Sequence, residues 1–236
     1  MARRPRQRQA QEAKSIEIRR NVIEQFLMDA KEFLKKNRKL ALYALIGLGI
    51  AIVIAIAIPV VVQIVNTGNE KRFEQIVDRL ARIKGPAEQD KMNAVVADLK
   101  KFIDTTYFGF SHNAAYYVLG NIYYDRRNWA ESKQCLMTFA DKEKKNILAP
   151  VALLKAALAL EEANDLKGAI GVYKRLDEKY TDSAVADQIY YNYARACALN
   201  KDLEGSRQYY NKVISAYPES QYTQLAKKRL FLLGSM

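Results

Sequence analysis

Hydrophobic and polar positions divide the chain into three parts, each with its own pattern. Residues 40–65 form an unbroken apolar run, and no charged residue lies between Lys39 and Glu70. Before the run, apolar residues recur every three or four positions, a spacing typical of an amphipathic helix. After it, helical spacing continues through residues 70–236. The pattern predicts an all-α protein in which a single apolar helix precedes a helical domain.

The apolar run predicts a transmembrane helix. Its 26 residues would form a helix of about 39 Å, which exceeds the hydrocarbon core of roughly 30 Å. A cleaved signal peptide has a shorter apolar core, of about 7 to 15 residues, and a short basic region. Because basic residues before a span usually stay inside the cell, residues 1–39 are predicted to be a basic cytoplasmic segment. Residues 70–236 would then be extracytoplasmic, in the periplasm of a diderm bacterium whose inner membrane holds the span.

The segment before the span contains a predicted amphipathic helix. Its apolar stripe consists of Ile16, Ile23, Phe26, Leu27, Ala30, Phe33 and Leu34. Such a helix can lie on a membrane surface or dock on the cytoplasmic face of a partner. The pattern leaves both interpretations open.

A period of 37 residues runs through the domain that follows the span. A shift of the sequence by 37 positions aligns small residues with small ones and large apolar residues with large ones. The four aligned columns are Gly120, Ala157 and Ala194; Ser132, Ala169 and Ser206; Leu99, Leu136, Tyr173 and Tyr210; and Phe102, Phe139, Leu176 and Val213. Small residues let two helices approach closely, and large ones fill the space beside them. The period therefore predicts an α-solenoid of stacked helical hairpins.

Polar turn residues come at the same point of each cycle. They are RRN at 126–128, AND at 163–165 and NKD at 200–202. Because Asn and Asp end and cap helices, each triplet is predicted to join the two helices of one hairpin.

These hairpins resemble the tetratricopeptide repeats. The first-helix pattern of that family, an aromatic residue, Leu-Gly and Tyr, appears as Tyr116, Leu119, Gly120 and Tyr123. The second-helix pattern appears as Ser132 and Leu136, and similar patterns follow in the next two cycles.

The resemblance covers roughly residues 88–236. It implies a degenerate first repeat at 70–106, three clearer repeats at 107–220 and a closing helix at 221–236. The period of 37 instead of the usual 34 implies a looser or locally irregular superhelix.

The positive charge is concentrated before the span. The formal net charge is +12, and residues 1–39 hold twelve basic and five acidic residues. A basic arm can bind nucleic acid, but an extracytoplasmic domain with little net charge is not expected to do so. The aromatic and arginine-rich stretch LGNIYYDRRNWAES, residues 119–132, is therefore interpreted as packing, with Trp129 fixing the second helix of its hairpin.

Side chains suited to catalysis are sparse. His112 is the only histidine, so neither a histidine triad nor a zinc site of several histidines can form. Cys135 and Cys197 lie in different repeats without a CxxC motif, and two buried thiols are favoured over the disulfide that an oxidising compartment permits. The sequence predicts no enzyme activity and no cofactor or metal.

A binding surface is the remaining expectation. In a stacked hairpin array the first helices line the inner face, and residues at i, i+4 and i+7 point into it. An aromatic and aliphatic groove with few charges suits an extended or helical polypeptide. The alternative, that the first repeat or a second copy of the chain covers this surface, stays open. The predicted groove consists of Tyr117, Asn121, Tyr124, Leu154, Leu158, Glu161, Tyr191 and Arg195.

The order of a short cytoplasmic segment, one span and an external repeat domain resembles the YfgM family of bacterial inner-membrane proteins. That resemblance implies an ancillary role at the Sec translocon, in contact with periplasmic chaperones or emerging envelope proteins. The segments YTDSAVAD and YPESQYTQLAKKRL also look like those of envelope-assembly repeat proteins such as BamD and the Tol-Pal coordinator. The alternative function is therefore that of a structural scaffold, although the N-terminal segment lacks the lipobox cysteine of BamD-like lipoproteins.

Overall fold

The computed structural model describes residues 24–85 and 88–234, which form helices and turns without any strand. The predicted all-α class is confirmed. The predicted basic arm up to residue 23, including Ile16 and Ile23 of the apolar stripe, lies outside the described residues. The helices are α1 (residues 24–36), α2 (Arg38–Ala81), α3 (Gln89–Thr105), α4 (Phe110–Asp125), α5 (Trp129–Lys142), α6 (Ala149–Glu162), α7 (Leu166–Lys179), α8 (Ala186–Leu199), α9 (Leu203–Ala216) and α10 (Gln221–Gly234).

Contacts divide the chain into two units, with the boundary between Ile64 and Val65. The first unit contains α1 and the apolar part of α2. Within the described residues α2 is the one helix long and apolar enough to cross a membrane. Pro59 lies inside α2, where a spanning helix tolerates proline. In α1 the rings of Phe26 and Phe33 are exposed.

The predicted span and the first helix of the repeat domain are one continuous helix. The predicted span ends at residue 65 and the predicted degenerate repeat starts at 70, and α2 runs through both to Ala81. The polar residues 66–72 include no proline, so nothing in that stretch removes a helical hydrogen bond. Ile76 then becomes buried, and Phe73 packs on Phe102 of α3 with ring centroids 5.8 Å apart.

The next three hairpins repeat at the predicted interval. The pairs α4–α5, α6–α7 and α8–α9 each turn at a residue with positive φ: Arg127 (61°), Asn164 (61°) and Lys201 (64°). These three residues are 37 positions apart. Asn146, Ser183 and Ser220, also 37 apart, each accept a backbone N–H bond from the residue three positions later in the loop between hairpins. The predicted turns and period are confirmed.

The four predicted columns form the packed interior. Their large members, such as Leu136, Tyr173 and Phe139, have no measurable exposure. Gly120 and Ser132, from the two columns of small residues, lie where α4 and α5 approach closely. The Ser132 hydroxyl donates to the Gly120 carbonyl at 2.9 Å, which holds α5 against α4. The columns are therefore confirmed as core positions.

The closing helix α10 completes the array on one side only. Thr223 and Ala226 are buried against the preceding hairpin, whereas Phe231 and Leu232 are exposed.

Trp129 begins α5 and meets Tyr124 edge to face, with centroids 5.2 Å apart. The ring thus joins the two helices of the first clear hairpin.

Candidate binding surface

An apolar pocket of about 530 Å³ opens where the first repeat meets α4. Tyr117, Val118, Asn121 and Ile122 form its wall on α4. The remaining wall comes from the end of α2, the following turn and α3: Leu80, Ile83, Gly85, Gln89 and Met92, with Asp125 and Arg126 at the rim. The first repeat thus leaves space beside two of the predicted groove residues.

The α4 members of the predicted groove are anchored by neighbouring side chains. The Tyr117 ring packs on Phe139 with centroids 5.0 Å apart, and Tyr117 is half-buried. The Asn121 amide donates to the Tyr117 carbonyl at 2.7 Å and accepts from Lys155 Nζ at 2.6 Å. The same ammonium lies 4.8 Å from the centroid of Tyr124, which is within cation–π range.

The α6 members differ in accessibility. Leu154 is 4% exposed and belongs to the largest core cluster, so it offers little surface to a ligand. Leu158 is half-buried at the edge of that cluster. Lys155, which lies between them, reaches the surface of α4, and we did not anticipate it from the sequence.

Glu161 and Arg195 connect α6 to α8. Their side chains approach to 2.7 Å, with Glu161 at 6% and Arg195 at 33% exposure. Tyr173 on α7 donates its hydroxyl to the same carboxylate at 2.6 Å. Burial raises the pKa of Glu161, and the bonds from Tyr173 and Arg195 oppose that rise. Burial also raises the pKa of Tyr173, so the phenol stays protonated and able to donate.

Tyr191 extends the surface from α8 towards α10. Its ring contacts Tyr210 and Tyr222, with centroids 5.7 Å and 5.2 Å away. A hydrogen bond with Tyr191 raises the pKa of Arg229 on α10. Cross-helix contacts therefore run along consecutive first helices, from Asn121 through Arg195 to the closing helix.

The histidine and the two cysteines that the sequence offered as candidate sites lie in surroundings typical of structural residues. His112 is buried, its Nδ1 lies 3.2 Å from the Thr106 hydroxyl, and burial lowers its pKa. Cys135 is half-buried and Cys197 buried, and both are free thiols. Within residues 24–85 and 88–234, no three His, Cys, Asp or Glu side chains could together hold a metal ion.

The predicted groove lacked the pocket residues of the first repeat and Lys155, the partner of Asn121. It held both Glu161 and Arg195 without predicting that they pair. Asn121 and Lys155 are 34 residues apart, as are Glu161 and Arg195. This separation is three short of the repeat, because side chains on consecutive first helices meet with a stagger. A comparison of the sequence with itself at a shift of 34 residues, in addition to 37, would have placed each of these residues opposite its partner.

Comparison with known protein families supports this description of the repeats. Residues 117–184 and 156–220 match the tetratricopeptide repeat family. No curated protein matches the sequence. Two crystal structures of nearly identical TPR-like repeats, from a Podosopora anserina protein assigned as a kinesin light chain and from a variant of it, are 11% identical to this chain. Each has a TM-score of 0.47, and the matched region covers 70% of this chain. It covers 93% of the first crystallised chain and 92% of the variant.

The matched ranges contain the three turns that lie 37 residues apart, two of the buried columns in full and all eight residues of the predicted groove. The ranges begin at Tyr117, inside α4, and end after the last interhairpin turn. Domains of this type generally bind polypeptide partners, and nothing in the fold or the comparisons shows an enzyme. From Tyr117 to Ser220 the chain is similar to tetratricopeptide repeats.

Proposed function

We propose that this protein is a non-enzymatic polypeptide-binding protein, tethered by α2 in the bacterial inner membrane with its repeats outside the cytoplasm. The pocket of about 530 Å³ beside Tyr117 and Asn121 carries the binding part of the proposal. Apolar side chains line most of it, and amide and charged groups lie at its rim. A polypeptide could bury an apolar side chain there while its backbone bonds to the rim.

The uncharged part of α2 supports the membrane part of the proposal. Leu45, Ile50 and Ile58 are more than half exposed, which is costly in water but favourable in lipid. Lys35, Lys36, Arg38 and Lys39 precede this run and favour a cytoplasmic N-terminus.

The resemblance to the YfgM family supports a specific place of action, beside the Sec translocon. A binding domain tethered next to a pore meets emerging chains at a high effective concentration. Modest affinity for many unfolded chains or chaperones would be sufficient there.

Photocrosslinking in cells tests this proposal directly. A photoreactive phenylalanine would replace Tyr117, Leu158 or Tyr191 in the full chain, with Lys174, exposed on α7, as the control position. We expect adducts with translocon subunits, chaperones or emerging envelope proteins from the three groove positions and none of these from position 174. Adducts with the chain itself alone would contradict the proposal.

A second pair of variants separates the pocket from the rest of the surface. Gln89→Trp places an indole at the exposed rim of the pocket, and Ala97→Trp places one on α3 away from it. We expect the position-117 adducts to disappear with Gln89→Trp and to persist with Ala97→Trp. Equal adducts in both variants would show that partners do not use the pocket.

A scaffold in a fixed envelope-assembly complex is the second candidate function. Exposed Phe231 and Leu232 on the last helix favour it, because a permanent partner would cover such side chains. A single dominant adduct to one folded assembly protein, formed from position 231 and not from position 117, would favour the scaffold.

A further inference from the structure

The loop between α3 and α4 exposes three aromatic side chains within four residues. Tyr107 is 80%, Phe108 46% and Phe110 53% exposed. In two of the three later loops at the same place in the repeat, an aromatic residue is present and turns back onto the preceding repeat. There the hydroxyl of Tyr180 donates to the Lys144 carbonyl, and that of Tyr217 donates to the Thr181 carbonyl.

A glycine shapes the backbone of the aromatic loop, residues 107–110. Gly109 has a φ of 95°, a conformation that glycine adopts without strain, and it lets the chain fold sharply between Phe108 and Phe110. Exposed single apolar residues are normal, but three adjacent rings form a patch that usually marks an interaction site.

The same loop packs against α2 at the end of the apolar run. A side-chain carbon added at Gly109 would lie 2.7 Å from Oδ1 of Asn66. Asn66 directly follows Val65, the last residue of the run, so about 1.5 Å of helix separates the loop's contact from the apolar segment. Arg72, about 9 Å further along α2, holds the end of α3, with its guanidinium 3.4 Å from the Thr105 hydroxyl and 5.5 Å from the Phe102 ring centroid.

We propose that Tyr107, Phe108 and Phe110 insert into the headgroup region of the phospholipid bilayer that α2 crosses. This inference rests on the proposed membrane span. The end of a spanning apolar run lies near the interface between hydrocarbon and headgroups, and aromatic rings are enriched at that interface because they combine an apolar body with a polar edge. The repeat domain would then be held at the bilayer by the loop as well as by α2.

The test is spin-label accessibility in the full chain, reconstituted in vesicles of phosphatidylethanolamine and phosphatidylglycerol. Nitroxides would be attached to Phe108→Cys, Ile147→Cys and Ile54→Cys in a Cys135→Ser, Cys197→Ala background. Ile147 is the matched control, since it is an exposed apolar residue in the next loop of the same class. Ile54 reports whether α2 spans the bilayer at all.

We expect the label at 108 to lose collisions with a water-soluble nickel chelate and gain collisions with oxygen, while the label at 147 keeps full nickel access. A label at 108 as accessible as that at 147, with 54 still shielded, would overturn the loop insertion and leave the span intact. A label at 54 open to nickel would instead overturn the span itself.

A second variant guards against a local effect of the label. In a variant that combines Tyr107→Ser, Phe108→Ser and Phe110→Ser, a nitroxide attached to Asp104→Cys, an exposed position, should become more accessible to the nickel chelate. The comparison is the same nitroxide in the chain that keeps the three aromatic residues. All three replaced side chains are exposed, so circular dichroism should show an unchanged fold. No gain in nickel access at 104 would contradict the insertion.

Discussion

At the scale of single residues, the left-handed positions in the hairpin turns are the most unusual feature. Arg127, Asn164 and Lys201 each end a first helix with positive φ. The N–H of each bonds to a carbonyl three residues back, and the next N–H bonds to one five residues back. Only Asn belongs to the residue types that visit this region readily, so Arg127 and Lys201 carry a conformational cost.

Replacing Lys201 by glycine should stabilise the fold. Glycine adopts positive φ without a steric penalty, although it also loosens the unfolded chain. We expect Lys201→Gly to raise the free energy of unfolding by about 0.5 kcal/mol, measured by urea denaturation of the detergent-solubilised chain. Lys174→Gly, inside α7, should lower it by about 1 kcal/mol. A loss of stability in both variants would contradict this explanation.

Two glycines should respond to alanine with opposite signs. A Cβ at Gly120 would lie 2.7 Å from Leu136 Cγ and 3.1 Å from the Leu136 backbone nitrogen, so α4 and α5 would have to move apart. We expect Gly120→Ala to cost about 1 to 3 kcal/mol of unfolding free energy. At Gly171 a Cβ meets nothing within 4 Å, and Gly171→Ala should add about 0.5 to 1 kcal/mol. Thermal melts with the same sign for both variants would contradict the packing argument.

At the scale of helices, second helices of consecutive repeats are joined by recurring polar bonds. Arg175 bonds to Asp141 at 2.6 Å, and Lys212 bonds to Asp177 at 2.6 Å one repeat later. Tyr209 adds a second bond to Asp177, at 3.1 Å. These bonds fix the register between neighbouring repeats where the apolar columns alone would allow small shifts.

The Asp177 carboxylate should make the stability depend on acid pH. Burial alone would raise its pKa, but the bonds from Lys212, Tyr190 and Tyr209 outweigh burial and lower it. The stabilisation is therefore present above the unfolded-state pKa of about 3.9 and is lost as pH falls through the lower folded-state pKa. We expect Asp177→Asn to cost about 1 to 2 kcal/mol at neutral pH and to flatten the acid limb of the stability profile.

Glu178→Gln is the control for this pH dependence. It removes the same charge from the next position of α7, where Glu178 is exposed and its ion pair with Lys174 spans 4.0 Å. Its stability profile should follow that of the unmodified chain. An acid limb unchanged by Asp177→Asn would show that other groups determine it.

Which helical features the sequence could predict depends on how local they are. The columns through Leu136 and Phe139 follow from the 37-residue period, the turns at 126–128 follow from their own polar residues, and all were predicted. Contacts such as Asn121 with Lys155 depend on the stagger between two helices, which no single periodicity contains. The burial of Leu154 was missed for the same reason, since α6 is packed on more than one side.

At the scale of the whole molecule, the two native cysteines make the proposed membrane topology simple to measure. Burial raises the pKa of Cys135 and of Cys197 to about 11. Because the thiolate is the reactive form, both should react slowly with maleimides at neutral pH while the domain is folded. Introduced exposed cysteines should therefore dominate the labelling.

Cysteines on the two sides of α2 should differ in access from outside the cell. An impermeant maleimide applied to spheroplasts should label Ile147→Cys and leave Asn37→Cys unlabelled until the membrane is permeabilised. This follows from the basic residues before the span, which favour a cytoplasmic N-terminus. Labelling of Asn37→Cys in intact spheroplasts, without labelling of Ile147→Cys, would reverse the proposed orientation.

The bonds between repeats also determine how the domain would respond to force. Asp141 with Arg175, Asp177 with Lys212 and Asp187 with Ser220 each connect one repeat to the next. Tension applied at α10 would be carried in series by all of these interfaces, so the weakest of them would open first. The array would then yield one interface at a time and recoil as each interface closed again. Such a spring could follow a polypeptide that is being pulled away from it without letting go at once.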